Sequence, residues 1–251
     1  MSSIAVNELT IDFGGLRALD RVTLSISPGE RRVVLGPNGA GKTTLFNAMT
    51  GLLRPSGGTI SLFDVDVTSL STFRRARLGL GRTFQINTLF PNLSLLDSTI
   101  LALRGRDGLF LSLLDSLKPR HWHVSEAEQL LDQWGLADKR NMLSRELSYG
   151  EQRQLELVIA LATKPRVLLL DEPTAGLSAG ETAMVASMIE QFPKDLSVLI
   201  IEHDMDFAMA LADIITVMHQ GRVLVEGAKD DVRRDSRVTE IYLGSEDARN
   251  Q

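Results

Sequence analysis

The sequence predicts an α/β fold with a mainly parallel sheet, an antiparallel β subdomain at the N-terminus and an inserted α-helical subdomain. Three observations support this prediction. A glycine-rich loop over residues 36–44 stands between an apolar run and a helix-compatible stretch. From Val167 to about Val225, apolar runs of strand length alternate with helical segments, as in a parallel sheet covered on both faces. Between residues 85 and 147, apolar side chains instead recur at helical spacing.

The first part of the chain alternates strands and turns. Apolar and polar side chains alternate in the outer strands, which predicts an antiparallel arrangement with one covered face. The turns fall at residues 28–30 and 55–58, which are rich in proline and glycine, and a helix is expected from Lys42 to Gly51. The predicted strands are 4–12, 22–27, 33–35 and 59–63.

Residues 36–44 satisfy the phosphate-loop pattern, with its fixed positions at Gly36, Gly41, Lys42 and Thr43. In such a loop, backbone N–H groups and the start of the following helix face the phosphates. Lys42 is expected to reach the β- and γ-phosphates, and the Thr43 hydroxyl to hold Mg²⁺. An ordinary glycine-rich turn would not require the strand before the loop and the helix after it, so we expect a nucleoside triphosphate here.

The apolar run Val167–Leu170 ends in Asp171 and Glu172, the pattern of a buried parallel strand that delivers carboxylates at its carboxyl end. Asp171 is expected to hold Mg²⁺ through water, and Glu172 to polarise the attacking water. Many strands end in solvated carboxylates, and the pair alone is weak evidence. The phosphate loop upstream and the following Pro173 and Thr174 favour the functional interpretation.

Residues 147–152, Leu-Ser-Tyr-Gly-Glu-Gln, resemble the signature sequence of the ATP-binding-cassette (ABC) family, and the resemblance extends over nearly the whole chain. It implies ATP as the nucleotide. In that family, residues matching Ser148, Gly150 and Glu151 lie at a helix N-terminus that faces the γ-phosphate held by the opposite subunit of a dimer. The chain departs from the usual motif at Tyr149, where the family has glycine, and at Glu151, where it has glutamine.

The resemblance also assigns roles to isolated residues. Gln85 matches the family's Q-loop residue, which reaches Mg²⁺ and the attacking water, and His203 matches the switch histidine, which contacts the γ-phosphate. Phe13 matches the aromatic that stacks on adenine, although a core aromatic is the alternative. Ser178 replaces the usual D-loop aspartate and either caps the next helix or lies at the dimer interface. The nucleotide-binding residues implied within the loop are Gly36, Pro37, Asn38, Gly39, Ala40, Gly41, Lys42, Thr43 and Thr44.

The composition of the chain argues against several classes of function. The net charge of −5 and the pI of about 5.5 argue against a broad nucleic-acid surface, and no nucleic-acid partner is expected. The chain contains no cysteine, and its longest apolar runs fall well short of the ~20 residues that cross a bilayer. His121 and His123 do not favour a metal pair, because we expect a strand or loop there without a suitably spaced carboxylate.

The motifs occupy the whole chain, which predicts a single ABC ATPase domain over 1–251, with a catalytic core over 1–87 and 160–251 and a helical subdomain over 88–159. The segment from Gly105 to His123, which contains the apolar run 109–114, resembles an extra piece carried by the ATPases of branched-chain or hydrophobic amino acid importers. A small hydrophobic plug under its own subdomain is the alternative for residues 109–114. Most of the short sequence motifs that the chain shares with these importer ATPases also occur in the ATPases of urea or amide importers and of lipopolysaccharide exporters. A soluble ABC ATPase that acts on DNA or ribosomes is a further alternative, though such proteins usually carry two cassettes or a long coiled-coil insertion.

The resemblance further implies transmembrane permease subunits, a second ABC ATPase subunit in a homodimer or heterodimer and, indirectly, a solute-binding protein. The expected location is peripheral, at the cytoplasmic face of the cell membrane. Leu89, Phe90 and Leu93 form an apolar patch after Gln85. We expect this patch either to receive a coupling helix of the permease or to belong to the core of the helical subdomain.

Overall fold

A computed structural model of the protein describes residues 2–83, 89–108 and 121–247. The strands in these ranges are β1 (Ile4–Phe13), β2 (Leu16–Ile26), β3 (Arg31–Leu35), β4 (Gly57–Leu62), β5 (Val65–Asp66), β6 (Leu80–Arg82), β7 (Val167–Asp171), β8 (Ser197–Ile201), β9 (Ile214–His219) and β10 (Arg222–Ala228). The helices are α1 (Lys42–Thr50), α2 (Thr72–Arg77), α3 (Leu95–Arg106), α4 (His121–Gln133), α5 (Tyr149–Ala162), α6 (Ala179–Glu190), α7 (Met205–Leu211), α8 (Lys229–Arg234) and α9 (Ser236–Asp247), with short 3₁₀ helices at Ala137–Lys139 and Ser144–Glu146.

The larger sheet has the strand order β10-β9-β3-β8-β7-β6. Strand β3 runs parallel to β8 and β9, and β7 runs parallel to β6 and β8. The runs Val167–Leu170 and Val198–Ile201 are fully buried, as expected for strands covered on both faces. Strand β10 pairs antiparallel with β9, so the expectation of a parallel pattern up to Val225 is wrong for this last strand. The carboxyl ends of β3, β7 and β8 meet at one edge of the sheet.

The predicted N-terminal antiparallel sheet is confirmed, with the strand order β2-β1-β4-β5. Strand β2 begins at Leu16, earlier than predicted, because the chain turns at Gly14, whose φ of 59° favours glycine. The covered face of this sheet packs on α1 in a common apolar cluster that includes Ile4 and Phe46. Helix α1 ends at Gly51 as predicted, in a left-handed cap.

The helical spacing between residues 85 and 147 is also confirmed where the structure describes it. On α3, Leu95, Thr99 and Leu103 are buried. Leu131 and Trp134 belong to the same apolar cluster as Val33 and Leu168 of the larger sheet. The helical segments therefore share a core with the sheet, and the proposed subdomain boundaries remain a prediction.

Helix α4 corrects one expectation. It begins at His121, so the strand or loop expected over residues 121–123 is wrong. The buried residues His123, Ala127 and Leu131 recur every four positions, and this helical signal was present in the sequence. His123 Nε2 lies 2.9 Å from Asp107 Oδ2, a carboxylate outside the helix. In the described ranges, no group of three or more His, Asp or Glu side chains is placed to hold a metal ion.

Two predicted features, Gln85 and residues 109–114, lie outside the described residues. Of the helices that the structure does describe, none has both the length and the apolar character needed to span a bilayer.

Candidate nucleotide-binding site

The phosphate loop joins β3 to α1 and is held between two other segments. At Gly41 the φ is 100°, and a Cβ there would lie 2.8 Å from Leu19 Cδ2 and 2.9 Å from the Ala18 carbonyl oxygen of β2. On the other side, the Gly221 N–H donates to the Ala40 carbonyl oxygen at 3.0 Å, and the Asp20 N–H donates to the Gly221 carbonyl oxygen at 2.9 Å. Only glycine fits position 41, because a side chain would collide with backbone and be strained as well.

Lys42 lies at the start of α1 and is buried. Its Nζ donates to the carbonyl oxygens of Gly36 at 2.5 Å and Pro37 at 3.1 Å. Burial lowers the pKa of Lys42, while the nearby carboxylates of Glu172, Glu202 and Asp171 raise it. No side chain in the described part of the chain caps α1, so the first N–H groups of this helix face the loop. This arrangement suits an anion at the N-terminus of the helix.

Asp171 ends β7, and its carboxylate is buried. Oδ2 accepts a hydrogen bond from Arg82 Nη2 at 2.9 Å, whereas Oδ1 has no hydrogen-bond partner among the described residues. Burial raises the pKa of Asp171, and the hydrogen bond from Arg82 opposes this effect. A buried carboxylate oxygen without a donor is unfavourable unless water or a cation satisfies it. Because Mg²⁺ prefers carboxylate, hydroxyl and water oxygens, Asp171 and the exposed Thr43 fit that ion.

Arg82 is a site residue that the sequence reasoning missed. It lies in β6, next to β7 in the sheet, and its Nη1 donates to Asn47 Oδ1 at 2.7 Å and to Thr50 Oγ1 at 3.2 Å. One guanidinium thus connects α1, at the end of the phosphate loop, with Asp171. The sequence offered only a weak signal, namely an arginine in a short stretch of apolar residues and glycines. A charge buried in such a stretch needs a partner of opposite sign.

Glu172 follows Asp171 with a φ of 46°, in the left-handed region that side chains other than glycine rarely adopt. Its N–H donates to the Ile201 carbonyl oxygen at 3.0 Å, which anchors it beside the end of β8. Such conformations persist where the surrounding structure enforces them, and they concentrate at functional sites. Glu172 and Lys42 thus lie at the same edge of the sheet.

His203 follows β8, and its side chain is 55% exposed. Its N–H donates to Glu202 Oε2 at 3.2 Å, while the fully buried Glu202 also accepts from Thr174 Oγ1 at 2.6 Å. Burial raises the pKa of Glu202, and the Thr174 hydrogen bonds oppose the shift. Glu202, which the sequence reasoning did not single out, connects the segment after Glu172 to His203.

The signature residues lie at the start of α5. Ser148 caps this helix, since its Oγ accepts from the Glu151 N–H at 3.3 Å and Glu151 Oε2 accepts from the Ser148 N–H at 2.9 Å. Lys139 pairs with Glu151 and lowers the pKa of that carboxyl. Among the described residues, Glu151 contacts Lys139, the Gly150 N–H donates to Glu181 of α6, and Tyr149 lies against Gly176.

For Ser178 and Phe13, the structure decides part of what the sequence left open. Ser178 caps α6, because its Oγ accepts from the Glu181 N–H at 3.4 Å; its alternative role at an interface remains a prediction. Phe13 is 47% exposed at the end of β1 and is therefore not a core aromatic. Its exposed ring is available for stacking, and the adenine contact stays a prediction.

Comparisons with known proteins place this geometry in context. A family model described as ABC transporter matches residues 19–175. The chain is 38% identical to the high-affinity branched-chain amino acid transport ATP-binding protein LivG of Escherichia coli K12, over 96% of this chain and 97% of that protein. It is 36% identical to BraF of Pseudomonas aeruginosa, a protein of the same description, with the same coverage of both chains.

Solved structures give the same picture for the fold. The ADP conformation of an ATP-binding cassette of an ABC transporter superposes with a TM-score of 0.85 at 28% identity, covering 97% of this chain and 99% of the other. A nucleotide-free cassette from an ABC transporter gives a TM-score of 0.84 at 28% identity, covering 96% and 99%.

Proposed function

The chain belongs to the ABC transporter family, and from this premise we propose that it is the ATPase subunit of an importer for branched-chain or other apolar amino acids. ATP-binding subunits of this family hydrolyse ATP to drive transport, and this chain is an ATPase of that kind. The relatives from E. coli and P. aeruginosa, both branched-chain amino acid transport ATP-binding proteins, support the proposed solute class.

One observation carries the proposed nucleotide site: Lys42 lies at the same sheet edge as the carboxylates of Asp171 and Glu172. Residues 36–44 hold the phosphates through backbone N–H groups and the Lys42 ammonium. Phe13 stacks on adenine. Ser148, Gly150 and Glu151 face the γ-phosphate of ATP bound by a second ABC subunit.

The proposed chemistry assigns one task to each polar side chain. Asp171, Thr43 and Gln85 hold Mg²⁺, which when bound neutralises charge on the phosphate oxygens. Glu172 accepts the proton of the attacking water as general base. His203 orients that water and the γ-phosphate, while Glu202 fixes the backbone of His203 through its carboxylate.

The proposed assembly contains two such ATPase subunits, identical or different, beneath permease subunits that receive solute from a binding protein. The chain is then peripheral, at the cytoplasmic face of the cell membrane. ATP draws the two cassettes together, hydrolysis separates them, and the movement passes to the permease helices.

Replacing the general base tests the chemistry. We expect Glu172→Gln to retain ATP binding, because the amide keeps the shape of the side chain. Steady-state hydrolysis should fall by about 10²-fold or more, since the base is lost. Calorimetric ATP titration and phosphate release measure the two effects. Glu190→Gln, at the exposed end of α6, is the control and should keep normal turnover.

Hydrolysis by Glu172→Gln within a few-fold of the unchanged chain would contradict the base assignment. The solute class is tested separately, by uptake of labelled leucine in cells that carry the complete transporter with this subunit. Competition by valine and isoleucine supports the proposal, whereas competition by urea or an amide alone would replace it with the alternative importer class.

A further inference from the structure

One carboxylate of this chain joins the signature helix to the loop before α6. The Gly150 N–H, in the first turn of α5, donates to Glu181 Oε1 at 3.1 Å. The other oxygen, Oε2, accepts from the Ser178 N–H at 2.9 Å and from the Ser178 hydroxyl at 2.7 Å. A Cβ on Gly150 would lie 2.5 Å from Glu181 Oε1, so glycine at this position allows the approach.

A second contact connects the same two segments. The Tyr149 ring packs on Gly176, where a Cβ would lie 3.3 Å from Tyr149 Cε1. Gly176 has a φ of 76° in the loop that leads to Ser178. Tyr149 is the residue that departs from the usual glycine of the signature, and here it covers the loop that Glu181 also binds. The start of α5 and the start of α6 are therefore held together at two points.

The Glu181 carboxylate is ionised at neutral pH, because hydrogen bonds from the Ser178 backbone and hydroxyl lower its pKa. A negative charge is favoured at a helix N-terminus, where backbone N–H groups point outward. The same N–H group and the same helix end suit a phosphate oxygen. A carboxylate and a phosphate oxygen cannot both occupy the position next to the Gly150 N–H.

We propose that Glu181 is a positioning residue whose carboxylate competes with the γ-phosphate of the second subunit's ATP for the Gly150 N–H. This inference rests on the proposed function. The competition sets the ATP concentration at which two cassettes associate. When the phosphate displaces Glu181 Oε1, Glu181 keeps its contacts with Ser178, and of the two points that join the segments the Tyr149 contact with Gly176 is the one that remains.

The test uses the full chain in the Glu172→Gln background, where ATP is not consumed. Adding Glu181→Gln removes the charge but keeps the capping box, because glutamine serves equally at this position. We expect the ATP concentration for half-maximal association, measured by analytical ultracentrifugation, to fall about two- to fivefold, the range that a charge at a helix N-terminus produces. Thermal unfolding should be nearly unchanged.

Glu146→Gln is the matched control. Glu146 also caps a helix start through its carboxylate, which accepts from the Leu143 N–H at 2.8 Å within the same local turn. This change should leave the ATP dependence of association unaltered. Hydrogen exchange at the Gly150 amide provides an independent readout, and we expect it to accelerate in Glu181→Ala.

An unchanged or higher ATP requirement in the Glu181→Gln variant overturns the inference. So does failure of the ATP-bound chain to associate, with itself or with its partner ATPase subunit, both with and without the Glu181 change. Loss of calorimetric ATP binding in the Glu172→Gln background itself would instead refute the proposed nucleotide site, and the two failures are thereby distinguished.

Discussion

At the scale of single residues, Asp171 depends on an arginine that lies far from it in the sequence. Arg82 Nη2 binds one carboxylate oxygen at 2.9 Å, and the other has no hydrogen-bond partner among the described residues. Both side chains are at most 9% exposed. Removing one member of such a buried pair leaves an uncompensated charge, which typically destabilises a protein by about 3–5 kcal/mol.

We expect Arg82→Met to destabilise the chain by about 3 kcal/mol in chemical unfolding and to weaken the Mg²⁺-dependent part of ATP binding, because Asp171 is no longer oriented. Calorimetric ATP titrations with and without Mg²⁺ measure the second effect. The control is Arg75→Met, since Arg75 is equally buried but donates to backbone carbonyl oxygens, such as those of Ala48 and Met49. Equal Mg²⁺ dependence in both variants would refute the positioning role of Arg82.

The residues that sequence reasoning found and those it missed differ in a physical way. The loop over 36–44 and the pair Asp171 and Glu172 were predictable, because their chemistry depends on local spacing after a strand. Arg82, Glu202 and Glu181 were not singled out, since each acts on a group from another part of the chain. Such pairings depend on which strands and helices become neighbours, and local periodicity does not contain that information.

At the scale of elements, the helices of the insertion are joined by a cluster of charged residues. Arg106 at the end of α3 makes a bidentate contact with Glu126 of α4 at 2.8 and 3.0 Å. Lys164, just after α5, lies 2.9 Å from the same carboxylate. These partners, with Arg106 contributing most, lower the pKa of Glu126 from 4.5 to about 2.

We expect Glu126→Gln to lower stability at neutral pH by on the order of 1 kcal/mol, since the bidentate ion pair is lost. Because the folded-state pKa lies below the unfolded value, this stabilisation is present above pH 4.5 and is lost as the pH falls towards about 2. Urea unfolding at neutral and acidic pH should therefore show a difference that shrinks with acid.

The control for this change is Glu128→Gln, also on α4, whose carboxylate is half exposed and lies 3.9 Å from Arg140. It should have little effect at any pH. A Glu126→Gln difference that stays constant down to the acid limit would show that the charge cluster is not its source.

The elements also show where prediction by pattern succeeds. Helix α3 and strands β3, β7 and β8 were predicted because their periods or apolar runs are unambiguous. Helix α4 was missed at its start, since His121 and His123 were interpreted as alternating residues rather than as members of a four-residue period. A tertiary contact of His123 with Asp107 contributes to that helix start, and the sequence did not indicate this contact.

At the scale of the whole molecule, the three residues predicted to form a docking patch for the permease differ in their exposure. Leu89 packs against the main apolar cluster and Leu93 is half-buried, whereas Phe90 is 57% exposed. Phe90 is thus a large exposed aromatic within this predicted patch, and such residues suit a protein interface. The docking proposal therefore depends on Phe90, and a charge at Leu89 would disturb the core instead.

We expect Phe90→Ser to leave ATP hydrolysis by the isolated chain within about twofold, because exposed substitutions alter stability little. Uptake by the complete transporter should fall at least about tenfold, together with co-purification of the permease subunits. Val65→Ser, a similarly exposed apolar change in the N-terminal sheet, is the control. Normal uptake in the Phe90 variant would refute its role in docking.

The contacts on both sides of the phosphate loop have a consequence for the whole site. The bond from Gly221 to Ala40 joins the turn between β9 and β10 to this loop, and the bond from Asp20 to Gly221 joins β2 to the same turn. The same β1–β2 hairpin carries Phe13. The ion pair between Asp20 and Arg222 joins β2 to the start of β10. Main-chain bonds together with this ion pair therefore hold the distance between Phe13 and the phosphate loop, and we expect substitutions on the outer faces of the hairpin to leave that distance unchanged.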